Sequence, residues 1–220
     1  MRVVPALALA LVLAALVLAA PAAARDPKDP KQEHTSADTK LANSLALKEA
    51  DLATGWRAAA PQPNSPPCST EPNESKLVQT AKVDPTFIWK DGVTTLGTEV
   101  DIFKTAAEAQ TDWKLSTLTL FRNCLLESAR GQLGKKFTVR IASAKALKAP
   151  PRLAERELHY QIVFRIVRGT TPVSIVSDVY ALGKGRITVV MHSFSIREPL
   201  PSPAVKQLLQ LLSGRLGAGI

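Results

Sequence analysis

Three histidines and a thin scatter of carboxylates and hydroxyls are the groups this 220-residue sequence offers for chemistry. An enzyme reading begins with His159, His192 and Asp178, of which the last two fall in two strand-like segments joined by Gly183-Lys184-Gly185. A hairpin that pairs Leu182 with Arg186 sets Val176 opposite His192 and Asp178 opposite Val190. Asp178 and His192 are then diagonal neighbours on one face, within reach of each other. An Asp–His pair activates a hydroxyl nucleophile. The nearest candidate, Ser193, follows His192 directly and so points to the other face of a strand. No G-x-S-x-G elbow, H-E-x-x-H helix or glycine-rich phosphate loop is present. No residue is assigned a catalytic role, and the expectation is a protein that is not an enzyme.

The same region offers a binding surface instead. Tyr160, Arg165, Asp178, Tyr180 and His192 are the candidate ligand-binding residues, set on a sheet face. Two registers stay open for the preceding strand. A two-residue turn at Thr170-Thr171 pairs Asp178 with Val163 and puts Arg165 diagonally beside it. One more turn residue pairs it with Ile162 and brings Tyr160 near. Register matters because a one-residue slip sends every side chain to the opposite face. No cofactor and no metal are expected, since two separated cysteines and three histidines lack ligand spacing.

The elements that would position these residues can be read along the chain. Asp38 caps a helix with Leu41 and Leu45 on one face and Leu52 nearby, ended around Asp51, and Gly55 supplies the stop. Residues 57–76 hold five prolines and read as irregular. Strand pieces follow in "LVQTAKV" and "TFIW", then a turn at Asp91-Gly92. Val93 to Phe103 is a longer strand, with Gly97 a candidate bulge. Thr105 and Glu108 stand at capping-box spacing, opening a helix that runs to about Arg130 before Gly131 and Gly134. Strands are expected at Phe137–Ser143, Arg156–Arg168, Pro172–Leu182 and Arg186–Ser195. Ser202 and Pro203 open a last helix with Val205, Leu208, Leu209 and Leu212 on one stripe. Strands clustered between helices mean an α+β fold: a twisted antiparallel sheet of about five to six strands, flanked by N- and C-terminal helices. Trp113 reads as core, Trp89 as a cap on the sheet edge, and Trp56 as a staple between loop and core.

The first 24 residues are of a different kind. Met1-Arg2, an Ala/Leu/Val run to Ala20 and "APAAAR" form a signal peptide with cleavage between Ala24 and Arg25. Residues 25–37 are expected to form a disordered leader, charged and proline-rich without apolar residues to bury, and 38–216 a single domain. The expected location is secreted, with membrane attachment only through an uncleaved signal. In that oxidising setting the two cysteines, Cys68 and Cys124, pair as a disulfide. Charge is uneven. Residues 25–113 carry ten basic and fourteen acidic side chains, and residues 114–220 carry seventeen and five. A basic C-terminal half suits an anionic surface at the cell envelope. Nucleic acid is not an expected partner, because the chain is exported and shows no aromatic stacking pattern. Adhesion to anionic polymers expects Lys135, Lys136, Arg140, Lys145 and Lys148 on one surface.

The order "DLATGW" (Asp51 to Trp56), Cys68, Phe103 to Ala109, Cys124 and a late β-meander resembles a known family. It is similar to the extracellular sensor-type (PknH-like) domain of actinobacterial receptor Ser/Thr kinases, also found in stand-alone secreted proteins, from Leu41 to about Leu212. The resemblance implies an antiparallel sheet flanked by helices, a groove that takes a ligand, and no catalysis. The chain departs in having one cysteine pair where the family usually has two, and in carrying no kinase. A sandwich fold shared by several secreted actinobacterial lipoproteins is a related resemblance. The expectation is thus a secreted sensor or ligand-binding domain that holds an unidentified small or envelope-derived ligand in a groove on its sheet. The alternatives are an envelope hydrolase using Asp178 and His192, and electrostatic adhesion.

Overall fold

The computed structural model describes residues 26–60, 68–134, 136–150, 152–168 and 171–219. The signal segment, residues 61–67 of the proline loop, Lys135 and the tip of the loop at 169–170 lie outside them. In chain order the elements are β1 (Lys31–Gln32), α1 (Ser36–Leu45), a 3-10 turn (Glu49–Asp51), β2 (Trp56–Ala58), β3 (Val78–Val83), β4 (Thr86–Trp89) and β5 (Thr95–Phe103). Then follow α2 (Ala106–Leu115), α3 (Leu118–Leu133), β6 (Thr138–Leu147), β7 (Arg156–Arg168), β8 (Thr171–Lys184), β9 (Ile187–Ile196) and α4 (Ser202–Ala218).

Among the described residues this is an α+β fold with nine strands, more than the sequence suggests. The sheet runs β1-β3-β5-β9-β8-β7-β6, with β4 also on β5 and β2 on β4. Consecutive strands β6 to β9 pair antiparallel through short connections, while β5 reaches β9 from far away in the chain. The extra strands are short. β1 lies in the expected leader and pairs parallel with β3, and β2 pairs Trp56 with Trp89.

Strand alternation divides the sheet into two faces. On the first, Leu96, Val100, Ile102, Leu182, Ile187, Val189 and Met191 meet Ala42 and Leu45 of α1 and Val205, Leu209, Leu212 and Leu216 of α4. On the second, Val139, Ile162, Phe164 and Ile166 lie under Leu118, Phe121, Leu125 and Leu126 of α3. α2 packs over β5 and β9. Both terminal helices are tied down by arginines. Arg186 grips Asp38 at 2.5 and 2.9 Å, and Arg215 grips Asp51 at 2.7 and 2.9 Å. The hydrogen bonds from Arg186 hold the Asp38 carboxyl at about 2 against the opposing effect of burial.

Three local expectations change. Thr35, not Asp38, caps α1: its hydroxyl accepts from Asp38 N while Asp38 turns inward. The long helix breaks at Ser116–Thr117, where the Thr117 hydroxyl caps α3 by accepting from Leu120 N. Gly97 is not a bulge, since it sits in unbroken pairing with His192. The register shifts instead between Gln79 and Ala81, and between Ile141 and Ser143.

The cysteine expectation stands. Cys68 and Cys124 are bonded, Cα to Cα 5.1 Å, fastening the end of the proline loop to α3. Glu127, one turn further along α3, accepts from Ser69 N and Oγ at 3.0 and 2.8 Å. Trp56 staples as expected. Its ring meets Trp89 edge-on at 5.4 Å, and Gly55 (φ 114°) passes so close that a Cβ there would lie 2.7 Å from Trp89. Trp113 is half-buried rather than core, with the Arg156 guanidinium 5.5 Å above its ring.

Candidate functional site

Register decides which of the candidate residues meet. The β8–β9 hairpin closes at Lys184↔Ile187 around Gly185 (φ 52°) and Arg186, three steps away from the Leu182–Arg186 pairing. An odd shift exchanges the faces. Asp178 therefore stands opposite Ser193, and His192 stands opposite Val179 on the other side of the sheet. The Asp178/His192 pair expected from the sequence does not form. On β7 the partner of Asp178 is Gln161, in neither of the two registers left open, because Arg168 pairs with Thr171.

Asp178 is 4% exposed, and a carboxylate buried to that degree needs polar partners. It has two. His159 Nε2 lies 2.9 Å from its Oδ1, and Gln161 Nε2 donates to the same oxygen at 3.1 Å. Tyr180 stacks on the His159 ring, centroids 4.0 Å apart. Burial first, then the Asp178 charge, pushes the Tyr180 phenol up to about 12. His159 is thus the partner that sequence reasoning missed. Leu182–Arg186 pairing hid it by assigning its carboxylate to His192.

Of the five candidates, Arg165, Asp178 and Tyr180 share the first face. Tyr160 and His192 are on the second. Tyr160 packs against Phe121 at 5.8 Å and donates to Ser116 O at 3.3 Å, so it serves the α3 interface. His192 lies flat over Gly97, where a Cβ would come within 2.4 Å of its Nε2. Burial holds the His192 ring below its usual pKa despite the charges of Glu99 and Asp84.

Beyond α4 the first face continues across β8, β7 and β6 and becomes basic. Arg165 pairs directly with Arg140, Val163 with Ser143, Gln161 with Lys145, and His159 with Leu147. Arg140, Lys145, Leu147 and Arg165 are exposed. Neither arginine, nor Lys145, has an ion-pair or hydrogen-bond partner among the described residues. The bulge around Ala142 makes this surface. Arg140 and Lys145 are five positions apart, which puts them on opposite faces of a regular strand. The extra residue brings them to the same one. Of the basic cluster expected from the sequence, Arg140 and Lys145 meet here, Lys136 and Lys148 lie beyond the two ends of β6, and Lys135 is outside the described residues.

A second polar group sits between β3, β5 and α2. Lys82 Nζ is 2.5 Å from Glu99 and 4.0 Å from Asp101, and Gln79 Nε2 donates to Asp101 at 2.5 Å. The Lys82 charge holds Glu99 at about 2, while burial keeps Asp101 protonated well above the carboxylate range. Burial also raises Asp112 to about 6. The signal was the Glu99-x-Asp101 alternation within a strand. Among the described residues no cluster of His, Cys, Asp and Glu is arranged to hold a metal.

An open depression of about 390 Å³ lies at the C-terminal end of α1, lined by Lys40, Asn43, Ser44, Ala46, Leu47, Lys48 and Pro85, away from the basic face. Among the described residues no helix is long and apolar enough to cross a membrane.

No family model matches the chain, and no curated protein matches it significantly. Solved structures similar to it include the extracellular domain of PknH from Mycobacterium tuberculosis, at 8% identity over 81% of this chain and 96% of that one, with a TM-score of 0.44. Another is a thioesterase family protein from Silicibacter pomeroyi, at 13% identity over 72% and 96%, with a TM-score of 0.22. The likeness to the PknH domain is a weak one at the level of the fold, that to the thioesterase is weaker, and neither carries a function to this chain.

Proposed function

We propose that this protein is an extracytoplasmic, non-enzymatic sensor or binding module of the cell envelope, whose ligand lies on the exposed part of the first face of β6 and β7. The ligand is anionic. The observation that supports this is the Arg140–Arg165 pair: two like charges directly opposite each other across neighbouring strands, neither in an ion pair among the described residues. Such a pair weakens a sheet, and an anion between the guanidiniums reverses the sign of the interaction. The one disulfide agrees with an oxidising location.

On this face binding is by charge and by hydrogen bonds from Gln161, Ser143 and Lys145. Asp178 and His159 support this face from within by fixing Gln161. A hydrolase reading has little to draw on, because Asp178 and His192 are on opposite faces and His159 Nε2 is spent on Asp178.

The test is co-sedimentation of the exported chain with purified cell-wall sacculi. Retention that falls with added salt, and that is lost in R140Q/R165Q, is the expected result. Retention indifferent to both, or release of a cleaved product from the sacculi, overturns the proposal.

A further inference from the structure

Resting on that reading, we infer that the group seated on the Arg140–Arg165 pair is a phosphodiester of an anionic polymer laid along β6 and β7. The geometry selects among anions. Directly opposed side chains leave neighbouring strands about 5 Å apart at their Cβ atoms, so two guanidinium forks converge from separate lines. A carboxylate keeps its lone pairs in one plane, so it accepts a second fork only from within that plane. A tetrahedral phosphodiester offers two oxygens out of that plane, one for each fork.

The rest of the face suits a chain rather than a small ion. Arg140, Ser143 and Lys145 follow one another along β6 on this side, which puts Lys145 about 13 Å from Arg140 at strand spacing. Between the two charges lie Ser143 with Val163, and beside Lys145 lies Gln161, a stretch that suits neutral polyol or sugar links. Thr138 at one end of this track and Leu147 at the other are both exposed, as a polymer passing over it requires.

Two other polyanionic surfaces fit less well. A lipid bilayer is gripped by apolar side chains inserted beside the basic ones, and Leu147 is the only large hydrophobic exposed among the described residues. Single-stranded nucleic acid needs free aromatic faces for its bases, and Tyr180, which shares this face of the sheet, is stacked against His159.

The experiment is a titration of the exported chain with poly(glycerol phosphate), polygalacturonate and phosphatidylglycerol vesicles, repeated on R140Q/R165Q and on R140K/R165K. Both positions are exposed, and melting curves at or above the parent's check that the variants fold. The expected result is preferential binding of poly(glycerol phosphate), weakened at least about tenfold in either double variant, since lysine keeps the charge but not the fork. Equal or tighter binding of polygalacturonate or of vesicles, lost in R140Q/R165Q, overturns the phosphodiester assignment and leaves the binding face standing. Binding of poly(glycerol phosphate) unchanged in R140Q/R165Q overturns both. If no probe binds while sacculi still do in an arginine-dependent way, the polymer class alone is wrong.

Discussion

Arg140 on β6 and Arg165 on β7 stand directly opposite each other on an exposed strand face, with neither guanidinium paired to a carboxylate among the described residues. A cross-strand pair of like charges costs the free protein stability. Replacing Arg140 by Glu turns repulsion into attraction, so R140E should stabilise the unliganded chain by roughly 0.2–1 kcal/mol while abolishing envelope binding. Thermal melting and co-sedimentation of the same preparation check the two halves. A variant that loses stability and keeps binding contradicts the role given to this pair.

His159→Ala leaves the 4%-exposed Asp178 carboxylate with only Gln161. Losing one partner of a buried polar group should lower unfolding free energy by about 1–3 kcal/mol, read by urea denaturation. His192→Ala, which breaks no hydrogen bond to Asp178, should leave the binding of sacculi unchanged. A loss of binding there would restore the pairing that the register rejects.

Gly97 and His192 form a second coupled pair. A methyl at position 97 would lie 2.4 Å from the imidazole, so G97A alone should cost about 1–3 kcal/mol. Combined with H192A, most of that cost should vanish. A double-mutant cycle measures the coupling directly.

The fold was legible where the chain is regular and blurred where a single residue changes a register. Hydrophobic periodicity located β7, β8, β9 and α4 within a few residues, because long elements repeat their pattern often enough to define it. The faces of Asp178 and His192 were not legible, since Gly183-Lys184-Gly185 permits several hairpin closures and each odd step exchanges sides. The basic surface was hidden for the same reason. Nothing in "TVRIASAKAL" marks Ala142 as the extra residue that unites Arg140 with Lys145. β1 and β2 were missed because two- or three-residue strands have no period at all, and exist through pairing with β3 and β4.

Burial raises Asp112 to about 6 and Glu74 to about 7, both above their unfolded values. For such acids the folded state holds the proton longer, so they favour folding below about pH 4 and lose that contribution as pH rises towards 6 and 7. His192 acts in the opposite sense, its depressed pKa costing stability as pH falls below its unfolded value. Comparing D112N with the parent separates the two. The variant should gain stability relative to the parent between pH 4 and pH 7, and a flat difference across that window argues against a protonated Asp112.

Reducing the Cys68–Cys124 bond opens a loop spanning 56 positions, and should cost on the order of 4 kcal/mol in the chain-entropy model. Denaturation with and without reductant measures it.

Amide chemical-shift mapping of the exported chain titrated with poly(glycerol phosphate) tests the central claim most directly. The account predicts that the perturbed residues centre on Arg140, Ser143, Lys145, Gln161 and Arg165, and that the shifts collapse in high salt. Shifts centred instead on the α1 depression around Lys40 and Lys48, or none on β6 and β7, would contradict it.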